Sequence, residues 1–112
     1  MVVDDAEQQI SHIIRGNDLY HQTPRQVWLQ TCLGHRTPLY RHLGIITNSQ
    51  GQKLSKQNLA APLAINQAPS LMSEALERLG PAPPCTLRQA PVKEQLAWAI
   101  EQWDINHITK RM

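Results

Sequence analysis

The sequence is short of cysteine. Cys32 and Cys85 stand far apart among 112 residues, whereas a small secreted domain stapled by disulfides shows more cysteines at closer spacing. Reduced thiols in a cytoplasmic protein are the expectation. Charge of one sign is also scarce. Eleven Lys and Arg face nine Asp and Glu, a formal net charge of +2. That balance permits a nucleic-acid or nucleotide partner without arguing for one, and no block of like charge forms a basic tail. No apolar run approaches the roughly 20 residues of a membrane span. The opening MVVDDAEQQ lacks the basic-then-apolar build of a secretory leader. No internal repeat is visible. What remains has the length of one ordinary domain, and its 41% apolar content is enough for a core.

Local signals divide the chain. Val2 and Val3, followed by Asp4 and Asp5, read as the end of a buried strand running into a polar turn. Ile10 to Ile14 is a second short apolar stretch, broken by Gly16. TPRQVWLQTCLG carries full helix punctuation: Thr23 as N-cap, Pro24 at the first helical position, Gln26 completing a capping box, and Gly34 as a left-handed stop. Leu29 and Leu33 fall one turn apart on its expected packing face. Leu43, Gly44, Ile45 and Ile46 read as a brief strand, and Asn48 to Gly51 as a turn. Strand, helix and strand of these lengths suit a parallel α/β layer. After Pro62 the character changes. Leu71, Met72, Ala75, Leu76 and Leu79 mark a helix face, opened by Pro69 and closed by Gly80. PAPPC is a stiff connector. Pro91 opens another helix, with Val92, Leu96, Ile100 and Trp103 on one stripe. Residues 1–62 are therefore expected to be α/β and residues 63–112 a helical tail.

Three groups of residues could carry chemistry. Arg15, at the end of an apolar strand and before Gly16, points to the region where open α/β sheets bind ligands. Its guanidinium suits a carboxylate substrate; the plainer alternative is an ion pair with Asp18 or Asp5. GQKLSKQN, residues 51–58, sets Lys53 and Lys56 on a loop with Ser55 between them. Lysines on such a loop could neutralise charge that builds on a leaving pyrophosphate, although a pattern this short is more often a solvated turn. Cys32, His35 and His42 fit no four-ligand zinc spacing. His12, His21 and His107 read as structural or surface residues, and Trp28, Trp98 and Trp103 as core.

VVDD, SHIIRGNDL, TPRQ, TPLYRHL and GQKLSKQN together resemble the class I glutamyl-type aminoacyl-tRNA synthetases, in order and in spacing. KLSK is similar to the mobile loop known in that family as KMSKS. Gln57 and Asn58, in place of the serine or arginine usual at the loop's end, make the glutamyl-queuosine tRNA(Asp) synthetase subgroup the nearest resemblance. The resemblance runs over nearly the whole chain and is strongest from Val2 to Asn58; the tail matches in layout more than in motif.

The resemblance implies the C-terminal part of a Rossmann-type catalytic domain, with the KLSK loop in residues 1–62, followed by a small helical tail. It implies activation of L-glutamate by ATP, with Mg2+, and transfer to the queuosine base of tRNA(Asp). Lys56 matches the ATP-contacting lysine, Lys53 and Ser55 the loop's other polar members, and Arg15 the arginine that holds glutamate. The family's HIGH element and zinc ligands belong upstream of Val2, so the resemblance implies a C-terminal portion whose N-terminal half is its missing partner. Alone such a portion is expected to be inactive, because half a nucleotide site cannot orient ATP for in-line attack. An ordinary glutamyl-tRNA synthetase portion is the alternative. So is a non-catalytic remnant that binds tRNA or protein through Arg36, Arg41 and the helical tail.

Overall fold

Met1–Lys53 alternates helix and strand. The computed structural model describes residues 1–106 and Ile108, and of Asn58 the backbone only; His107 lies outside the described residues. Contacts divide the chain into two units, Met1–Lys53 and the segment from Leu54 onward.

The first unit begins with helix α1, Val2–Glu7, where the paired valines had indicated a strand. Two valines carry only a weak β preference. Asp4 and Asp5 lie in the first turn, where their charge favours the positive end of a helix. The turn closes locally, with the Asp5 amide 2.8 Å from the Met1 carbonyl. Gln9 takes a left-handed φ of 56°. The amides of Gln9 and Ile10 then return to the carbonyls of Ala6 and Asp5, which is how a Schellman motif stops a helix.

Strand β1, His12–Gly16, follows, then a 3-10 turn, Asn17–Gln22, helix α2, Thr23–Cys32, and strand β2, Leu39–Leu43. The strands pair in parallel, with Ile13 opposite Tyr40 and Arg15 opposite His42, as the strand–helix–strand reading requires. Gly34 has a φ of 68°. The amides of Gly34 and His35 bond the carbonyls of Thr31 and Gln30, so the expected left-handed stop is present. The second strand lies earlier than its apolar signal. Ile45 and Ile46 stay outside the sheet and exposed, whereas LYRHL makes the ladder.

The packing face of α2 also differs from expectation. Leu29 and Leu33 are exposed, as is Trp28. Thr23, Gln26 and Gln30 instead meet side chains of the strands; their spacing of three, then four, places them on one helical face. Gln30 is 2% exposed and donates from Nε2 to the Tyr40 hydroxyl at 2.8 Å. Cys32 and Cys85 are exposed free thiols.

In the second unit, helices α3, Ala68–Leu79, and α4, Val92–Glu101, pack together. Pro69 lies in the first turn of α3, Gly80 caps its end, and Pro91 precedes α4. The proposed stripe on α4 is not the buried one: Leu96, Ile100 and Trp103 are exposed, whereas Gln95 and Ala99 are buried. Gln95 is 0% exposed. Its Nε2 donates to the carbonyls of Pro69 and Ala90, both at 2.9 Å, and its Oε1 lies 2.8 Å from the Ser73 hydroxyl. A buried amide with its donors and acceptor satisfied ties the start of α3 to the turn before α4. Trp98 is half-buried. Among the described residues no helix is long and apolar enough to cross a membrane.

Candidate active site

Arg15 is the fourth residue of β1, and alternation puts it on the same sheet face as Ile13. Parallel register sets His42 beside it. The helix that follows β1 brings its first turn over this face. Arg15 Nη1 donates to Gln26 Oε1 at 2.6 Å and Nη2 to Thr23 Oγ1 at 2.6 Å. Arg15 Nε lies 3.5 Å from His42 Nε2, and the guanidinium carbon sits 5.1 Å from the centre of the Tyr40 ring. The two residues that spell a capping box are therefore used differently. Neither caps α2, whose N-cap residue is Gln22 without a side-chain cap bond; both hold the arginine.

Thr23 and Gln26 are neutral hydrogen-bonding groups, and Tyr40 offers an aromatic face. No carboxylate among the described residues pairs with Arg15, so the alternative pairing with Asp18 or Asp5 is not formed, and Asp18 has another partner. Asp18 Oδ2 accepts from Lys53 Nζ at 2.5 Å. This bond, above all, holds the Asp18 carboxyl below the ordinary aspartate value. Gly16 makes the arrangement possible, because a Cβ there would overlap Asp18 Oδ1.

Lys53 reaches Asp18 from a tight turn. Asn48 Oδ1 accepts from the amides of Gln50 and Gln52 at 3.0 and 2.9 Å. The Asn48 amide bonds the Gln52 carbonyl, and Gly51, with a φ of 77°, closes the turn. Thr47 and Lys53 then form a single antiparallel bridge. The GQK half of the loop is thus structured and its lysine engaged.

Ser55 and Lys56 belong to the second unit. Ser55 is half-buried and precedes a 3-10 turn, Lys56–Asn58. Its carbonyl accepts from the Ala60 amide at 3.2 Å. The Lys56 side chain is exposed and has no hydrogen-bond or ion-pair partner among the described residues. The two loop lysines therefore differ: Lys53 is tied to Asp18, and Lys56 is open to solvent.

The described histidines lie apart from one another in their contacts. His12 Nδ1 lies 2.9 Å from Ser11 Oγ, His21 packs edge-on against Tyr20, and His42 serves the arginine. Among the described residues no three His, Cys, Asp or Glu side chains gather at a metal-binding distance. Reading the residues one at a time missed Thr23, Gln26 and His42 as partners of Arg15. The available signal was positional: an arginine ending one strand, a Thr-x-x-Gln opening the next helix, and a histidine in register on the next strand.

Comparison with known proteins bears on these features. The catalytic-domain family described as tRNA synthetases class I (E and Q) matches residues 1–85. A "Glutamyl-Q tRNA(Asp) synthetase" of Synechococcus sp. is 50% identical over 110 residues, covering 98% of this chain. Proteins of the same name from Neisseria meningitidis serogroup C and Pseudomonas aeruginosa are 48% and 43% identical over 98% of the chain. The chain spans about 37% of the length of the Synechococcus relative. Among solved structures, a glutamate–tRNA synthetase from Elizabethkingia anophelis superposes with a TM-score of 0.62 at 23% identity, over 97% of this chain and 26% of that one. That likeness is one of fold. With 85 of its residues matched by the family, the chain belongs to the class I tRNA synthetases of the E and Q type, within their catalytic domain.

Proposed function

We propose that this chain carries the amino-acid-binding arginine and the nucleotide loop of a ligase that activates L-glutamate with ATP and transfers it to the queuosine base of tRNA(Asp). The observation that carries the reading is Arg15: half-buried, held by neutral side chains, and with no carboxylate partner among the described residues. A guanidinium so placed favours an incoming carboxylate, because the bidentate pair neutralises a charge the fold leaves uncompensated.

In the activation step a glutamate carboxylate oxygen attacks the α-phosphorus of ATP. The bond from that phosphorus to the bridging oxygen breaks, and pyrophosphate leaves with the electron pair. Arg15 orients the amino acid. Lys56, whose ammonium has no partner among the described residues, stabilises the charge that develops on the leaving phosphates. Ser55 supports the loop, and Lys53, tied to Asp18, anchors its first half. Magnesium belongs to the nucleotide substrate and arrives on its phosphates. In the second step a nucleophile of the queuosine base takes the glutamyl group, and AMP leaves. The parallel β1–α2–β2 unit fits a Rossmann-type layer, residues 1–62 fit a catalytic portion with 63–112 as its helical tail, and a cytoplasmic setting fits the tRNA substrate.

The names of the relatives at 43–50% identity favour queuosine over the tRNA 3′ end. The test is transfer of labelled glutamate by the full-length protein to two tRNAs, tRNA(Asp) carrying queuosine and tRNA(Glu). Label on the queuosine base of tRNA(Asp) is the expected result. Label on the 3′ end of tRNA(Glu) would make the protein an ordinary glutamyl-tRNA synthetase.

A further inference from the structure

We infer that His42 is a positioning residue for the amino-acid carboxylate site, and that it must be uncharged for Arg15 to hold its orientation; this rests on the reading of Arg15 given above. The inference comes from the direction of the hydrogen bonds. A guanidinium only donates. Arg15 Nε, 3.5 Å from His42 Nε2, therefore requires a lone pair on that nitrogen. Thr23 Oγ1 accepts a hydrogen bond from Arg15 Nη2 at 2.6 Å and lies 2.9 Å from the same His42 Nε2. With its acceptor side facing Arg15, the Thr23 hydroxyl donates its hydrogen bond to His42. Both bonds converge on one unprotonated nitrogen. The neutral ring then carries its proton on Nδ1.

A proton on Nε2 reverses this. Thr23 loses its acceptor, and an imidazolium then faces a guanidinium at hydrogen-bond distance. Arg15 is half-buried, so solvent screens that repulsion only partly. The other groups around the ring do not offset the charge. Tyr20, from the 3-10 turn, meets it edge-on with centroids 5.1 Å apart, and Tyr40, on the same strand, stacks at 6.3 Å. Thr23 and Gln26 are the residues that α2 contributes, and no carboxylate among the described residues pairs with His42. Protonation thus drives Arg15 away from Thr23 and loosens the geometry with which it meets a carboxylate. Imidazoles change charge between about pH 5 and 8. L-Glutamate keeps both carboxylates and its ammonium charged through that interval, so the dependence comes from the protein.

The experiment measures L-glutamate affinity of the full-length protein by calorimetry from pH 8 to 5.5, for the wild type, His42→Gln and His42→Ala. The imidazole tautomer of His42 is read in parallel from its nitrogen-15 shifts. The wild type is expected to lose about tenfold in affinity as the pH falls, and His42→Ala to be about tenfold weaker at pH 8, the scale of one lost hydrogen bond to a charged group. His42→Gln places an amide oxygen near the Nε2 position, so it restores most of the affinity and removes the pH dependence. The neutral Nδ1–H tautomer is expected at pH 8. Wild-type glutamate binding that is flat or tighter at low pH, a His42→Gln profile like the wild type's, or an Nε2–H tautomer would each overturn the inference. Absence of glutamate binding at every pH would overturn the proposed function and this inference with it; pH-independent binding would overturn this inference alone.

Discussion

Lys53 Nζ and Asp18 Oδ2 lie 2.5 Å apart, joining the first half of the KLSK loop to the turn that follows β1. The bond lowers the Asp18 carboxyl below its ordinary value near 3.8. A depressed folded value means that the tie is complete above the ordinary value and is lost as pH falls through the lower, folded one. A carbon-13 titration of the Asp18 carboxyl should show a midpoint below that of a free aspartate. Lys53→Ala should raise the midpoint. An unchanged midpoint in that variant would remove Lys53 as the cause.

Gly16 should be needed for the same contact. A Cβ at this position meets Asp18 Oδ1, and the tip of a side chain moves aside more easily than backbone does. Gly16→Ala should therefore leave the unit folded and displace the Asp18 carboxylate, raising its titration midpoint as Lys53→Ala does. A titration identical to the wild type's would show that the carboxylate accommodates the methyl in place.

Gln95 should behave as a structural residue of the second unit. Replacing it with Leu keeps the volume roughly constant, removes the side-chain bonds to the carbonyls of Pro69 and Ala90, and leaves the Ser73 hydroxyl only its bond to the Arg88 carbonyl. Unpaired buried polar groups cost about 1–3 kcal/mol each, so a loss of about 2–4 kcal/mol is expected in urea unfolding. A loss under about 0.5 kcal/mol would mean that water reaches these groups.

Lys56 and Lys53 should separate kinetically. In the full-length protein Lys56→Ala should slow glutamate-dependent ATP–pyrophosphate exchange about a hundredfold, the scale of a lost transition-state charge contact, with little change in glutamate binding. Lys53→Ala should have the smaller effect, through loss of the Asp18 anchor. Equal effects of the two would erase the distinction drawn from their contacts, and an unchanged rate in Lys56→Ala would remove that residue from the mechanism.

The parts of the fold legible in the sequence were those written in stiff or special residues. Pro24 and Gly34 bracket α2, Pro69 and Gly80 bracket α3, and Pro91 opens α4, because proline and glycine act on the backbone whatever the tertiary context. Apolar periodicity was less informative. It pointed to Leu29 and Leu33 on α2 and to Leu96 and Ile100 on α4, all exposed. The faces that pack carry Thr23, Gln26, Gln30 and Gln95, whose burial depends on partners distant in sequence. A glutamine reads as a solvent residue until its partner is known. The place of Arg15 near a strand end was legible, whereas its hydrogen-bond partners were not, because a Thr-x-x-Gln at a helix entrance has a local use that competes with the tertiary one. At Val2 and Val3, side-chain preference indicated a strand, and the local backbone bonds and acidic first turn produced a helix.

The central claim is that Arg15 receives the glutamate carboxylate. Its most direct measurement is L-glutamate-dependent ATP–pyrophosphate exchange by the full-length protein, with and without Arg15→Ala. Exchange that depends on L-glutamate, is not supported by L-glutamine, and needs about a hundredfold more glutamate in the variant is expected from loss of one partner of a desolvated charge pair. Exchange with the same glutamate requirement in both proteins would contradict it.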